Sequence, residues 1–440
     1  MLKRYRCQCG NAVFFRNSVC LACGTPLGFD TALGLLIPLQ QSFINSETSS
    51  SLIWQQFHSC YGEDIDDGTY LPIADASANV YGAVSANFSA QFNADENPGL
   101  SAGSVDNSAS SDVIKTRGNC VVRYRRCANL HTPAACNWLI NAEKPVGQIY
   151  CIACSLNRVI PDLTDIEHPE NKLFWGRVEL AKRRMLAGLI GLGLSIVSKV
   201  ENFENGLAFD LVNTLPGGKA VMTGHDSGVI TLNLQEADDA TRESIRTSMG
   251  EPYRTLLGHF RHETGHYFWD RLVKNTHWIE DFRRLFGDDS QDYAMSLQSN
   301  YGAGPPKNWW LNYVSSYASS HPWEDWAETW AHYLHMCDTL DTASSFGLIV
   351  NSQLLEFTPF SADALYDTAD EETSNVFLHF INVWAGLTVL LNEMSRSMGQ
   401  PDFYPFVLPN AVVTKLHFVH LVIQSGKSAS RVAQINPSIT

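Results

Sequence analysis

The stretch "RHETGH" sets His262, Glu263 and His266 in the order H-E-x-x-H. Imidazoles are ordinary zinc ligands, and a carboxylate beside the first of them can exchange a proton with water on the metal, so the pattern suits metal-assisted hydrolysis. The spacing works on a helix, where residues four apart are turned about 40° from each other and rise about 6 Å, so both rings face one ion. Glu263 is then the expected general base. A helix that carried these histidines for packing alone would have no need of that glutamate. Gly265 between the ligands costs about 1 kcal/mol against alanine, which predicts close approach of another segment. Glu251-Pro252 predicts a helix from Pro252 to about Val273. His259, one turn before His262, is expected to pack or hydrogen-bond instead of binding metal. Donors to a developing oxyanion are sought in Tyr317, His225 or Tyr267, each of which also reads as an ordinary loop or core residue.

A catalytic zinc needs a third protein ligand, and the segment "SSYASSHPWEDWAETWAHYLH", residues 315–335, is the place to seek it. His321 before Pro322 predicts a helix start, with Glu324 in its first turn and Glu328 one turn on. The pattern E-x-x-A-E resembles the second helix of the gluzincins, where a glutamate binds zinc and an acidic residue four positions later supports a ligand histidine. That resemblance implies Glu324 as the third ligand and Glu328 as the support. Glu328 and then His332 are the alternatives, while Asp325 is turned about 100° away. By position alone, Glu324 simply suits the positive end of a helix. The tryptophans interleaved with these helices, Trp269, Trp309, Trp310, Trp323, Trp326 and Trp330, are expected in the core.

Two groups of cysteines point to structural metal. Cys7 and Cys9 precede Cys20 and Cys23, two close pairs joined by β-type residues, as a zinc ribbon requires; the tight C-x-C of the first pair is its one irregular feature. Cys127, Cys136, Cys151 and Cys154 form a second, more loosely spaced group, read either as a second zinc site or as buried thiols. Cys60, Cys120 and Cys337 lack neighbours at ligand spacing and are expected to be free and buried. The 11 cysteines thus suit a reducing cytoplasm better than a disulfide framework.

The elements that position these residues follow from the rest of the chain. Its 440 residues, 45% of them apolar, suffice for two or three domains with a sizeable core. A net charge of -15 argues against nucleic acid or anionic membranes as partners and favours a peptide or protein. The opening "MLKRYRCQCG" has no apolar run before a cleavage site, so secretion is not expected, and "MLAGLIGLGLSIV" is too short to span a bilayer and reads as a buried helix. We expect one half of the ribbon in residues 1–41, a flexible insertion rich in Ser, Ala, Asn and Asp in 42–118, and the second half with the second cysteine group in 119–165. A catalytic core over 166–345 and a helical extension over 346–440 complete the chain. Within the core, "ENKLFWGRVELAKRRMLAGLIGLGL" reads as a helix and "GLAFDLV", "KAVMTGH" and "GVITLNL" as strands.

The segments "YRCQCGNAVFFRNSVCLACGTPLGFD", "GEPYRTLLGHFRHETGHYFWDRL" and "HPWEDWAETWAHYLHMCDTLDTA" together resemble a family of zinc-binding metallopeptidases with an N-terminal zinc ribbon. The likeness spans most of the chain outside residues 42–118. It implies a helix-rich α+β fold, in which a β-type ribbon precedes a zincin-like domain whose small sheet packs on the H-E-x-x-H helix. It also implies a cytoplasmic zinc peptidase, with one catalytic and one or two structural zinc ions. The competing reading makes the ribbon an adaptor for protein or nucleic acid and the helical body a structural metal site; an intact Glu263 argues against it.

Overall fold

The computed structural model describes residues 3–46, 49–56, 122–213, 221, 223–249, 251–348 and 357–435. They divide into two compact units: Arg4–Cys127 with Asn137–Ile149, and Met1–Lys3 with Ala128–Cys136 and Tyr150–Thr440.

Among its described residues, the regular structure of the smaller unit is all β. Strands β1 (Tyr5–Arg6) and β2 (Ala12–Val13) pair antiparallel around the first cysteines. Then β3 (Leu27–Asp30), β4 (Leu35–Ser46), β5 (Ser49–Gln56), β6 (Arg123–Arg126) and β7 (Leu139–Asn141) form an antiparallel meander in that order. The outermost strands approach each other: Phe29 N–H donates to the Asn137 carbonyl at 2.9 Å, curling the sheet around buried Leu27, Phe29, Trp138 and Ile140. Gly28 allows this, since a Cβ there would stand 2.4 Å from Leu139 Cδ2. The buried Asp30 carboxylate accepts the Tyr124 hydroxyl at 2.5 Å, which satisfies both groups inside the sheet.

This sheet corrects the expected start of the insertion. Residues 42–46 and 49–56 continue the meander, with Ile53 buried and Trp54 paired to Tyr124. The polar, serine-rich composition concealed them because strand pairing is made by the backbone, which serine supplies as well as valine does. The rest of the expected insertion, from residue 57, lies outside the described residues, as do Cys60 and Cys120.

The larger unit begins its regular structure with helix α1 (Ile152–Ser155) and strand β8 (Asn157–Val159), followed by helix α2 (Asn171–Gly191) and strands β9 (Ala208–Val212), β10 (Gly224–Asp226) and β11 (Val229–Asn233). Their order is β10-β11-β9-β8, with β9 parallel to both its neighbours and β10 antiparallel to β11. Residues 150–159 pack within this unit. The "MLAGLIGLGLSIV" run buries Met185, Leu186, Ala187, Leu189, Leu192 and Leu194 but is only partly helical: α2 ends at Gly191, and Gly193 at φ 78° turns the chain.

Among the described residues, seven α-helices follow: α3 (Asp239–Met249), α4 (Leu256–Leu272), α5 (Ile279–Phe286), α6 (Tyr293–Ala303), α7 (Pro322–Ser345), α8 (Glu371–Ser397) and α9 (Asn410–Ile435). The H-E-x-x-H helix is α4. It starts at Leu256 and not at Pro252, because Thr255 caps it, its hydroxyl accepting from Gly258 N–H at 3.0 Å. The sheet packs on it through Phe209 and Phe260, ring centres 5.6 Å apart. Helix α7 lies against its other side so closely that a Cβ on Gly265 would be 2.9 Å from Ala327 Cα. Trp326 Nε1 seals the contact by donating to the Gly265 carbonyl at 2.8 Å.

Trp269, Trp326 and Trp330 are buried as expected, whereas Trp309 is half-buried and Trp310 is 51% exposed on a short turn. Among the described residues, α8 is the one helix long and apolar enough to cross a bilayer. It buries Phe377, Ile381, Trp384 and Leu387, a stripe at helical spacing. Phe377 packs on His417 of α9, ring centres 4.6 Å apart.

Candidate metal centre

Helices α4 and α7 bring His262, His266 and Glu324 together, one ligand atom from each lying within 4.8 Å of the others. The first two come from one face of α4. Glu324 comes from the first turn of α7, whose start is fixed by Pro322 and by His321, its Nδ1 accepting from Trp323 N–H at 3.0 Å. Glu324 Oε2 stands 2.9 Å from His262 Nε2, and Oε1 3.5 Å from His266 Nε2. Ligand atoms about 2.0–2.1 Å from a tetrahedral zinc would be about 3.4 Å apart, and these two separations bracket that value. Oε2 is buried with no hydrogen-bond partner among the described residues. An imidazole nitrogen and an orphaned carboxylate oxygen facing each other at that distance form the donor set of a metal ion, so the residues fit zinc.

Glu328 takes a different position. Its Oε1 lies 2.7 Å from His262 Nδ1, and its Oε2 accepts the Ser315 hydroxyl at 2.6 Å. With Nδ1–H donated to Glu328, Nε2 is the nitrogen of His262 that faces Glu324 and is left for a metal. Burial opposes ionisation of Glu328, but the His262 imidazole outweighs it and brings the carboxyl down to about 2. Burial likewise opposes the charged form of Glu324, yet His266 and His262 hold it well below the usual carboxylate range. His332, the remaining alternative, points elsewhere, its Nδ1 being 2.6 Å from the Tyr404 hydroxyl. Asp325 is buried on another face of α7, paired with Lys415 Nζ at 2.6 Å.

Glu263 is 7% exposed, and burial pushes its pKa up. Its Oε2 has no hydrogen-bond partner among the described residues. His259 is half-buried near Glu236, its Nδ1 3.6 Å from Glu236 Oε2, and takes no part in the metal cluster.

Of the oxyanion candidates, Tyr317 sets its ring 5.9 Å from that of His262. His225 lies 6.3 Å from His266 by ring centres. Its Nε2 accepts from Gly228 N–H at 2.9 Å, and burial lowers its pKa to about 3. The neutral ring therefore carries its proton on Nδ1, which is buried without a partner among the described residues. Tyr267 is committed elsewhere, its hydroxyl donating to the Asn205 carbonyl at 2.9 Å.

Two neighbours were not foreseen. Trp323 lays its ring on His266, centres 3.8 Å apart, and Tyr293, at the first position of α6, donates its hydroxyl to Glu324 Oε1 at 2.6 Å. A tyrosine 31 residues from its partner leaves no spacing signal in the sequence.

In the smaller unit the four thiols of Cys7, Cys9, Cys20 and Cys23 also lie within 4.8 Å of one another. Gly10 at φ 82° and Gly24 at φ 74° let each knuckle turn back, so the irregular C-x-C spacing is accommodated. The Asn11 side chain and backbone lower the Cys9 thiol to about 6, toward the thiolate that binds metal. In the larger unit Cys136, Cys151 and Cys154 come together, with Cys136 Sγ 3.5 Å from Cys151 Sγ. Cys127, the fourth of that group, is buried at the last residue of a segment of the smaller unit. None of the nine described cysteines is in a disulfide, and Cys337 is buried as expected.

Comparison with known proteins agrees with this chemistry. Residues 171–422 match the family described as "Putative zinc-binding metallo-peptidase", and residues 4–87 and 98–165 match a zinc-ribbon domain. Uncharacterized proteins of Mycobacterium bovis and of two strains of Mycobacterium tuberculosis are each 45% identical over 298 residues, 68% of this chain and 82% of theirs. No solved structure matches the chain significantly. Because the first match covers more than half of the sequence and contains the His262, His266 and Glu324 cluster, the chain belongs to this zinc-binding metallo-peptidase family, with a zinc-ribbon domain at its N-terminal end.

Proposed function

We propose that the protein is a zinc-dependent peptidase in which His262, His266 and Glu324 hold the catalytic ion and Glu263 is the general base. The observation that carries this is the buried cluster of two imidazoles and one carboxylate with Glu263 next to the first ligand in sequence. A zinc ion there would supply Lewis acidity to the scissile carbonyl and lower the pKa of water towards about 7. Glu263, its Oε2 not engaged by any described residue, takes the proton of the attacking water and returns it to the departing amine. Glu328 fixes the tautomer of His262. The Nδ1–H of His225 and the hydroxyl of Tyr317 are the donors assigned to the developing oxyanion.

The substrate is a peptide or protein. A cavity of about 590 Å³ beside α6, with Asp292, Met295, Asn300 and Ser319 among its walls, is where we place part of it. The ribbon cysteines Cys7, Cys9, Cys20 and Cys23 hold a structural zinc, and within the larger unit Cys136, Cys151 and Cys154 bring three thiols to a second one. A cytoplasmic location accords with nine cysteines outside disulfides, and the acidic net charge of -15 disfavours nucleic acid as a partner.

The test is metal analysis of wild type and Glu263→Gln, paired with a peptide-library cleavage assay. We expect Glu263→Gln to keep its zinc and lose about 10²–10⁴-fold in cleavage. Zinc confined to the cysteine groups, or undiminished cleavage by Glu263→Gln, would refute the proposal.

A further inference from the structure

The two oxygens of Glu324 are treated differently by their surroundings. Oε1 receives the Tyr293 hydroxyl at 2.6 Å. Oε2 faces His262 Nε2 at 2.9 Å and is buried with no hydrogen-bond partner among the described residues. A carboxylate near a metal can give one oxygen or both, and the hydroxyl on Oε1 biases that choice, because a second metal–oxygen bond must compete with a short hydrogen bond to an anion.

We infer that Tyr293 is a positioning residue that holds Glu324 as a one-oxygen ligand, so that one coordination position stays open for water and substrate. The inference rests on His262, His266 and Glu324 being the catalytic zinc ligands. Tyr293 acts through Glu324 and need not touch substrate.

Its placement fits that task. Tyr293 is the first residue of α6, held there by Asp292, whose Oδ1 accepts from Met295 N–H at 2.8 Å. Its ring packs edge-on against His321 and Trp323, ring centres 5.3 and 5.6 Å away. These two residues flank Pro322 at the start of α7, so the same short stretch that sets Glu324 also steadies the tyrosine.

The test uses the full-length protein stripped of metal and reloaded with zinc or with cobalt(II). Cobalt at the cysteine sites gives thiolate charge-transfer bands and its own d–d bands, so the d–d bands of cobalt held by two histidines and a carboxylate are read as the difference from Glu324→Ala, which keeps only the cysteine sites. In Tyr293→Phe, which keeps the ring and removes only the hydroxyl, we expect the non-thiolate site to bind zinc about 10–100-fold more weakly in chelator competition. Its cobalt d–d bands should lose intensity as the freed carboxylate raises the coordination number. Tyr293→His, which restores a donor, should recover part of both. A Tyr293→Phe protein with unchanged zinc affinity and an unchanged cobalt spectrum overturns the inference while leaving the ligand assignment standing. A wild-type protein with cobalt only at thiolate sites overturns both.

Discussion

At the scale of single residues, one turn of helix separates two glutamates with different tasks. Glu324 and Glu328 are spaced so that either could reach a metal, and the choice is made by what lies opposite each. Glu324 meets two Nε2 atoms, while Glu328 meets the far nitrogen of one imidazole and the hydroxyl of Ser315. We predict that Glu328→Ala weakens zinc at the histidine site about 10–100-fold without abolishing it, since the ligands remain but His262 loses its orienting partner. Glu324→Ala should remove that zinc altogether. Zinc content after graded chelation distinguishes the two. The same contrast shows why the sequence left the third ligand open: a four-residue spacing fixes a shared helix face, but not which of its members faces another helix.

At the scale of elements, the site depends on how closely α4 and α7 pack. Alanine would favour an isolated α4 by about 1 kcal/mol over glycine at position 265. In the folded protein its methyl group would lie 2.9 Å from the Ala327 backbone, and the helices would have to separate. We predict that Gly265→Ala destabilises by about 1–3 kcal/mol net, read from denaturant unfolding, and weakens zinc binding because Glu324 recedes with α7. Equal or greater stability would show that the contact has slack. The need for a glycine here was legible in the sequence as an unexplained cost inside a helix; that α7 is the neighbour was not. The start of α4 illustrates a weaker signal: Pro252 is compatible with a first turn, but the hydroxyl of Thr255 offers an actual partner to an orphan amide, and the helix begins there.

At the scale of the whole molecule, the C-terminal helices add buried titratable groups to the larger unit. His417 and His420 on α9 are 1% and 2% exposed, and burial lowers their pKa values to about 4 and about 3. Both remain neutral in the folded protein while an unfolded histidine takes up a proton near pH 6.5. Their stabilising effect is therefore complete above about pH 6.5 and is lost as pH falls towards 4, at about 1.4 kcal/mol per group for each pH unit. Urea unfolding of wild type and His420→Gln at pH 7 and 5.5 tests this, and comparison with the variant cancels any acid release of zinc. The wild type should lose more stability between the two pH values; equal losses would mean that His420 can be protonated in the folded state.

The sequence by itself determined the candidate ligands and their local frames. H-E-x-x-H and the paired cysteines are set by spacings of a few residues, which the geometry of one helix or one knuckle converts directly into facing ligands. It also determined the order of β-rich ribbon, small sheet and helical body, because periodicity and turn residues are local. Only the tertiary structure decided which glutamate faces the histidines, that Tyr293 donates to one oxygen of Glu324, and that residues 42–46 and 49–56 extend the ribbon's sheet. Those outcomes rest on contacts between residues far apart in the chain and on backbone pairing indifferent to side-chain type, and neither leaves a pattern in a single sequence.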